Sequence, residues 1–300
     1  MPESSSSPYI PGSTRSFRTT KIKRPEPGTA PGSIVADPTA PQPILRVVAY
    51  DSHRCAEATT TDPDSIQEYL EAWPVTWVSV NGLGNAEIVR RVGEIFRCHR
   101  LALEDVISVH QRPKVDEYEE HLFIVVRVPD ATDGCGTRQV TLFLGESFVL
   151  TFEEATQTRF DRVRKRLRDG RGHLRRAGPD YLAYAILDAA IDCYFPVVES
   201  YGEQLEKLEE EIMARRHDEE LVTRIHDARR ELLTLRRLVR PLRDAVKLLL
   251  DDELPFVQGR PASTCATVST IRVSSAISST PTWPWPAHSS TSTSRSRTTA

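Results

Sequence analysis

The sequence predicts an α/β protein in which a mixed β-sheet with flanking helices is followed by a long antiparallel helical hairpin. Between residues 44 and 152, short apolar runs typical of strands mix with helical segments without strict alternation, as in a mixed sheet. Between residues 191 and 249, apolar residues recur at spacings of three and four, which is the pattern of a coiled-coil seam.

Composition divides the chain into four parts. Residues 1–43 are rich in Ser, Pro, Thr and Gly and are expected to be disordered. Residues 44–178 form the predicted α/β domain, and residues 179–255 form the helical hairpin. Residues 256–300 are expected to be a second disordered segment. The 39% of hydrophobic residues is enough for a core, and the net charge of −3 gives no general attraction to nucleic acid.

Cysteine usage and hydropathy indicate a cytoplasmic chain. The five cysteines are widely spaced and form no C-x-x-C pair, so neither a disulfide framework nor a zinc ribbon is indicated. The N-terminus lacks the pattern of a secretory signal. No window approaches the roughly 20 apolar residues of a membrane-spanning helix, so the chain as written is expected not to cross a membrane.

The predicted strands are five apolar runs, at residues 44–50, 76–81, 122–128, 139–144 and 147–152. Gly145 and Glu146 join the last two as a tight turn. Helices are predicted at residues 65–73, at residues 86–96 with Asn85 as N-cap, and around Leu101–Val109 with a stop at Pro113. Residues 159–176 form a basic helix and loop, which we interpret as a solvated face balanced by carboxylates; a polyanion-binding patch is the alternative.

The two hairpin helices carry opposite charge. The first contains six glutamates between residues 199 and 211, and the second contains seven arginines between residues 224 and 243. Folded back on each other, they can place these charges face to face. The basic stripe then has a partner within the chain, which argues against a nucleic-acid partner. Pro241 lies inside the second helix and is expected to kink it.

Three carboxylates are candidate metal ligands. Glu104 and Asp105 are adjacent on the short helix before Pro113, and Asp188 lies on a helix over residues 181–194. Mg²⁺ prefers oxygen ligands and often binds through water, so a few carboxylates can bind it; an acidic pair merely exposed near a helix end is the alternative for Glu104 and Asp105. His99, His110 and His121 recur every eleven residues, but this spacing gives them no common face, and no zinc motif is present. The segment Gly82-x-Gly84 is interpreted as a turn.

The run "LEDVISVHQRPKVDEYEEHLFIVVRV" resembles the cytoplasmic domain of the CorA family of magnesium and cobalt channels. The similarity includes "VTWVSVNGLG" before it and "VTLFLGESFVLTF", "DYLAYAILDAAIDCYFPVVE" and "RRELLTLRRLVRPLRDAV" after it, over residues 44–255. It implies a transporter of Mg²⁺ and Co²⁺, not an enzyme, that assembles as a homopentamer. It also implies that Glu104, Asp105 and Asp188 bind regulatory Mg²⁺ between protomers, together with an aspartate from the next subunit's stalk.

The family's membrane helices and its Gly-Met-Asn pore motif have no counterpart here. Residues 254–300 contain no Asp or Glu and lose all apolar periodicity. We hypothesise a frameshift near residues 257–260, with residues 261–300 translated out of frame. The chain would then hold half of a sensor site and be unable to transport by itself. We expect it to be monomeric or weakly associating and to bind Mg²⁺ weakly.

Three alternatives remain at this stage. The zinc-transporting relatives of the family fit the same residues, because the pore is not in this sequence. A soluble interaction protein could use the α/β domain and the hairpin without a membrane. A metal-dependent enzyme using Glu104, Asp105 and His110 is disfavoured, because no nucleophile or closed metal triad is recognisable.

Overall fold

The computed structural model describes residues 32–130, 136–170, 172–214 and 219–249. The tail predicted for residues 256–300 and the frameshift near residues 257–260 lie outside the described residues. Residues 32–43, which belong to the segment predicted to be disordered, are described from the turn at Gly32 onwards.

A single mixed sheet of seven strands is the centre of the described chain. The strands are β1 (Ile44–Tyr50), β2 (Cys55–Thr60), β3 (Val75–Asn81), β4 (Lys114–Glu117), β5 (Leu122–Pro129), β6 (Thr137–Leu144) and β7 (Phe148–Glu153). Their order is β2-β1-β3-β7-β6-β5-β4. β3 and β7 pair in parallel and every other pair is antiparallel, which confirms the predicted mixed sheet.

The sequence did not predict the two edge strands. β2 reads CAEATT and lacks the large β-branched and aromatic residues that mark the central strands. β4 has only four residues and no buried position. Neither edge strand has a fully buried position. Such strands need few apolar residues and therefore leave a weaker hydrophobic pattern in the sequence.

The helices are α1 (Ile66–Ala72), α2 (Ala86–Ile95), α3 (Arg100–Ile107), α4 (Asp161–Asp169), α5 (Pro179–Asp192), α6 (Phe195–Met213) and α7 (Glu219–Leu249), with a 3₁₀ turn at Leu174–Arg176. Asn85 caps α2 as predicted, because its side-chain oxygen accepts from the amides of Glu87 at 3.0 Å and Ile88 at 3.2 Å. α3 ends at Ile107, before the predicted stop at Pro113. α7 continues through position 241.

Helices cover both faces of the sheet. Successive strand residues point to opposite faces, so Phe123 and Val125 pack under α1, α2 and α3, whereas Ile124 and Val126 pack under α4, α5 and the start of the hairpin. Both faces are therefore buried. This three-layer arrangement places α3 and α5 on opposite sides of the same sheet.

The hairpin of α6 and α7 is antiparallel and has the predicted seam. Leu208, Leu221 and Ala228 are buried between the two helices. Arg224 donates two hydrogen bonds to the Glu211 carboxylate, at 2.7 and 3.1 Å. The acidic helix and the basic helix thus face each other, as the charge pattern predicts.

One stretch, Pro179–Met213, is long and apolar enough to cross a membrane by length and composition alone. The expectation that no such segment exists was therefore too strict. Leu182, Ile186 and Ala190 of this stretch are buried against the sheet. A core helix of a soluble protein passes the same test, so the stretch is weak evidence for a membrane span.

The basic segment of residues 159–176 is only partly a solvated face. Arg168 is exposed and forms an ion pair with Glu57 at 2.7 Å. Arg164 is buried: its guanidinium lies 4.5 Å from the Trp77 ring centroid and donates to the Ser79 hydroxyl at 2.6 Å. A buried charge needs such partners, so the interpretation of a solvated face is wrong for Arg164.

Two of the three histidines meet across an aromatic ring. Tyr118 stacks on His99 with ring centroids 4.8 Å apart, and on His121 with centroids 5.1 Å apart. His99 and His121 are thus linked through Tyr118, a contact that the spacing of the histidines did not predict. His121 is 1% exposed, and neither of its ring nitrogens has a hydrogen-bond partner among the described residues. Burial lowers the pKa of His121, against an opposing effect of Glu120.

Replacing Gly93 by alanine should destabilise the domain by about 1–3 kcal/mol, because overpacking forces neighbours to shift. A Cβ at Gly93 in α2 would lie 2.3 Å from a methyl carbon of Leu103 in α3. Gly202→Ala in α6 is the matched control: a Cβ there meets nothing within 4 Å, and the change should stabilise by about 0.5–1 kcal/mol. Urea unfolding measures the change in the free energy of unfolding for both variants. Equal changes in Gly93→Ala and Gly202→Ala would contradict the close packing of α2 on α3.

Replacing His121 by phenylalanine should reduce the dependence of stability on pH. Because the pKa of His121 is lower in the folded chain than its ordinary value of about 6.5, the unfolded chain binds more protons below that pH. The stability contributed by the neutral imidazole is complete above pH ~6.5 and is lost as the pH falls through the folded-state pKa. The exposed His53→Phe is the control. Thermal unfolding at a series of pH values measures this dependence. If stability changes with pH equally in His121→Phe and in the parent, the lowered pKa of His121 would be contradicted.

Candidate metal site at one end of the sheet

Glu104 and Asp105 lie on α3, where local sequence fixes which side of the helix faces the sheet. Ala102, Leu103 and Val106 are buried on one side of α3. The two carboxylates lie off that side and are half-buried. The spacing of three and four between apolar residues produces this division.

The end of α3 and the turn after it are fastened to the sheet by two side chains. Gln139 of β6 is 2% exposed; its amide nitrogen donates to the Asp105 carbonyl at 2.8 Å, and its amide oxygen accepts from the Gln111 backbone amide at 2.9 Å. Arg127 of β5 donates to the Val109 carbonyl at 3.1 Å. Sequence reasoning missed both residues. The available signal was Arg127, a single charged residue near the end of the otherwise apolar strand β5.

A backbone amide already contacts Glu104. The Gly32 amide donates to the Glu104 carboxylate at 2.7 Å. Gly32 has a φ of +80°, a conformation that other residues rarely adopt. The segment that precedes β1 therefore passes over α3 and helps to orient this carboxylate.

Both oxygens of Asp105 accept hydrogen bonds from side chains of residues that follow α3. The Gln111 amide donates to Oδ1 at 2.7 Å, and the Lys114 ammonium donates to Oδ2 at 2.8 Å. Lys114 also lies 2.5 Å from the Asp116 carboxylate. Partial burial alone would lower the pKa of Lys114, but the two carboxylates outweigh it and the pKa is raised. The sequence analysis did not identify Lys114 as part of the site.

Asp188 lies on α5, on the other side of the sheet. It lines a cavity of about 640 Å³, together with Asp130, Arg162 and Asp192. Burial raises the pKa of Asp192, and Arg162 opposes that rise. The cavity also contains Pro129 at the end of β5, and Pro129 pairs with Thr137 at the start of β6. Asp188 thus lies at the same end of the sheet as Glu104 and Asp105, but under the opposite face.

The donors fit Mg²⁺ in type but not in number. Carboxylate oxygens are the ligands that Mg²⁺ prefers. Among residues 32–130, 136–170, 172–214 and 219–249, however, no group of three or more His, Cys, Asp or Glu side chains could hold a metal ion. Glu104, Asp105 and His110, the residues of the disfavoured enzyme alternative, form no such group within these ranges. Burial and the nearby Arg127 lower the pKa of His110.

Comparison with known proteins places the chain in a family. The family model described as "CorA-like Mg2+ transporter protein" matches residues 74–261. The cobalt/magnesium transport protein CorA of Thermotoga maritima is 36% identical over 217 residues, which are 71% of this chain and 62% of that protein. The putative metal ion transporter YfjQ of Bacillus subtilis is 33% identical over 174 residues, which are 58% of this chain and 53% of that protein. The chain spans between half and two thirds of the length of these relatives.

Solved structures support the same fold. The soluble domain of CorA from Methanocaldococcus jannaschii has a TM-score of 0.63 at 18% identity and covers 78% of this chain and 90% of that one. The cytoplasmic domain of ZntB from Vibrio parahaemolyticus has a TM-score of 0.61 at 15% identity and covers 79% of this chain and 92% of that one. At these identities the likeness concerns the fold. The match over residues 74–261, which include α3, its turn, α5 and both helices of the hairpin, shows that the chain belongs to the CorA family.

Proposed function

We propose that this chain is the cation-sensing cytoplasmic part of a CorA-type transporter that carries Mg²⁺ and Co²⁺. The observation that carries the proposal is the adjacent carboxylate pair on α3, inside the family match and fastened to the sheet by Gln139. The names of the Thermotoga maritima and Saccharomyces cerevisiae relatives, a cobalt/magnesium transport protein and the magnesium transporter ALR1, support these ions as cargo. The chain acts as part of a transporter and not as an enzyme.

The regulatory site is completed by a second copy of the chain. Glu104 and Asp105 supply carboxylates on one side of the sheet and Asp188 supplies one on the other. A single chain therefore offers too few ligands at one point, whereas two neighbouring copies can present both sides to each other. This supports assembly with identical subunits, in the homopentamer that the family resemblance implies.

Ion binding controls the assembly by linkage. When Mg²⁺ is bound it neutralises carboxylates that would otherwise repel each other across the interface. An ion that binds the closed arrangement more tightly shifts the population towards it. Loss of the ion at low Mg²⁺ concentration then releases the subunits. In this proposal, the family's membrane helices attach the transporter to the membrane.

The end of the family match supports the frameshift hypothesis. The match ends at residue 261, a few residues after Glu253, which is the last carboxylate of the sequence. Sequencing the DNA from codon 250 onwards tests this. A one-base slip that restores an acidic stalk, two apolar helices and a Gly-Met-Asn loop is the expected result, and a confirmed frame with nothing of this kind downstream would contradict it.

A chimera tests the sensing function. Residues 32–249 of this chain, exchanged for the matching segment of the Thermotoga maritima CorA, should give a protein that takes up Co²⁺ in liposomes and is inhibited by Mg²⁺ on the domain side. Glu104→Ala with Asp105→Ala should raise the half-inhibiting Mg²⁺ concentration at least about tenfold, because two of the ligands are lost.

The adjacent exposed pair Glu119 and Glu120 provides the control. Replacing both by alanine changes the net charge equally but removes no proposed ligand, so inhibition by Mg²⁺ should be unchanged. Equal effects of the two double variants would show that the acidic pair on α3 is not a specific cation site. A chimera that transports without any inhibition by Mg²⁺ would contradict the sensing function altogether.

A further inference from the structure

We propose that Lys114 is a tethered cation that competes with divalent ions for Asp105 and thereby sets the affinity of the acidic pair. The inference rests on the proposed function, because it takes the α3 carboxylates to be the cation site. It adds a residue that determines the response of that site. Lys114 lies on β4, outside the helix that carries the acidic pair.

The ammonium group occupies the position that a cation would need. Lys114 Nζ lies 2.8 Å from Asp105 Oδ2, within the range of a charge-assisted hydrogen bond. The Asp105 side chain is 23% exposed and that of Lys114 is 34% exposed, so solvent only partly screens the pair. Mg²⁺ binds oxygen at about 2.1 Å. An ammonium and a divalent ion on one carboxylate would repel each other strongly, so direct binding of the ion favours release of Lys114 from Asp105.

Lys114 has a second carboxylate to go to. Asp116 lies two residues further along β4, and residues two apart on a strand point to the same face. Its carboxylate is 2.5 Å from Lys114 Nζ, so the ammonium is already shared between Asp105 and Asp116. When a divalent ion takes Asp105, the lysine can keep Asp116 without moving its backbone. The exchange therefore costs one ion pair and leaves no buried charge without a partner.

The surroundings restrict the ammonium to these two partners. It lies 5.5 Å from the centroid of the Phe123 ring, which limits its approach from the sheet side. Gln111 holds the other oxygen of Asp105 at 2.7 Å and so keeps the carboxylate oriented towards Lys114. Glu104 is held separately by the Gly32 amide. Of the two carboxylates, Asp105 alone is thus subject to direct competition by Lys114.

This competition predicts the ionic preference of the site. A monovalent ion offers no more charge than the ammonium it must displace, and the ammonium is tethered at high local concentration. A divalent ion offers twice the charge. Asp105 therefore keeps its internal cation at low Mg²⁺, and the site responds only when a divalent ion reaches a concentration that overcomes the lysine.

The test measures Mn²⁺ binding to the full chain from the signal of free Mn²⁺ in electron paramagnetic resonance, with Mg²⁺ as competitor. Lys114→Gln should bind Mn²⁺ about tenfold more tightly than the parent, because a partly screened ion pair no longer has to be broken. Lys165→Gln is the matched control. It removes the same charge from an exposed lysine on α4 and should change the affinity by less than about twofold.

Asp105→Asn separates competition at one carboxylate from a general change in charge. If Lys114 competes at Asp105, the gain from Lys114→Gln disappears in the double variant with Asp105→Asn. Persistence of the gain in that double variant would overturn the proposal, as would equal affinities of Lys114→Gln and Lys165→Gln. If neither the parent nor Lys114→Gln shows even the weak Mn²⁺ binding expected of half a site, the proposed function would instead be overturned. Binding that depends on Asp105 but not on Lys114 would overturn this inference alone.

Discussion

The position of the acidic pair depends on one buried side chain, Gln139. An amide in the interior is costly unless both its donor and its acceptor are satisfied. Here the Gln139 side-chain nitrogen donates to the Asp105 carbonyl, and the Gln139 side-chain oxygen accepts from the Gln111 backbone amide. These groups flank the end of α3, so the sheet satisfies its own buried amide only when α3 and the following turn lie where they do. The same constraint brings Gln111 and Lys114 to the Asp105 carboxylate, and the chemistry of the site follows from that arrangement.

The layering of the fold determines how many ligands one chain can bring to one point. Helices on both faces bury the central strands of the sheet, but they also separate Asp188 on α5 from Glu104 and Asp105 on α3. All three lie at the end of the sheet where β5 ends and β6 begins. We interpret this geometry as that of a surface made for contact between copies. Each chain carries carboxylates over both faces at one end of the sheet, and a divalent ion between two copies can be bound by carboxylates from both faces.

Much of the fold could be predicted because its signals are local. The Asn85 cap, the five apolar strands and the charged seam of the hairpin depend on residues close together in the sequence. The edge strands β2 and β4 were missed because they bury little. The contacts of Gln139 with Asp105, of Lys114 with Asp105 and of Tyr118 with His99 join residues from different parts of the chain, and spacing along the chain carries no information about them. Of the site, the sequence therefore predicted the carboxylates but not the groups that hold and neutralise them.

The central claim is that the α3 carboxylates bind a divalent ion in place of an internal cation. Anomalous scattering from Mn²⁺ in crystals of this chain locates the ion directly. The account predicts a peak within coordination or water-bridged distance of Glu104 and Asp105, with the Lys114 ammonium on Asp116 alone. A peak elsewhere on the molecule, with Lys114 still on Asp105, would contradict it.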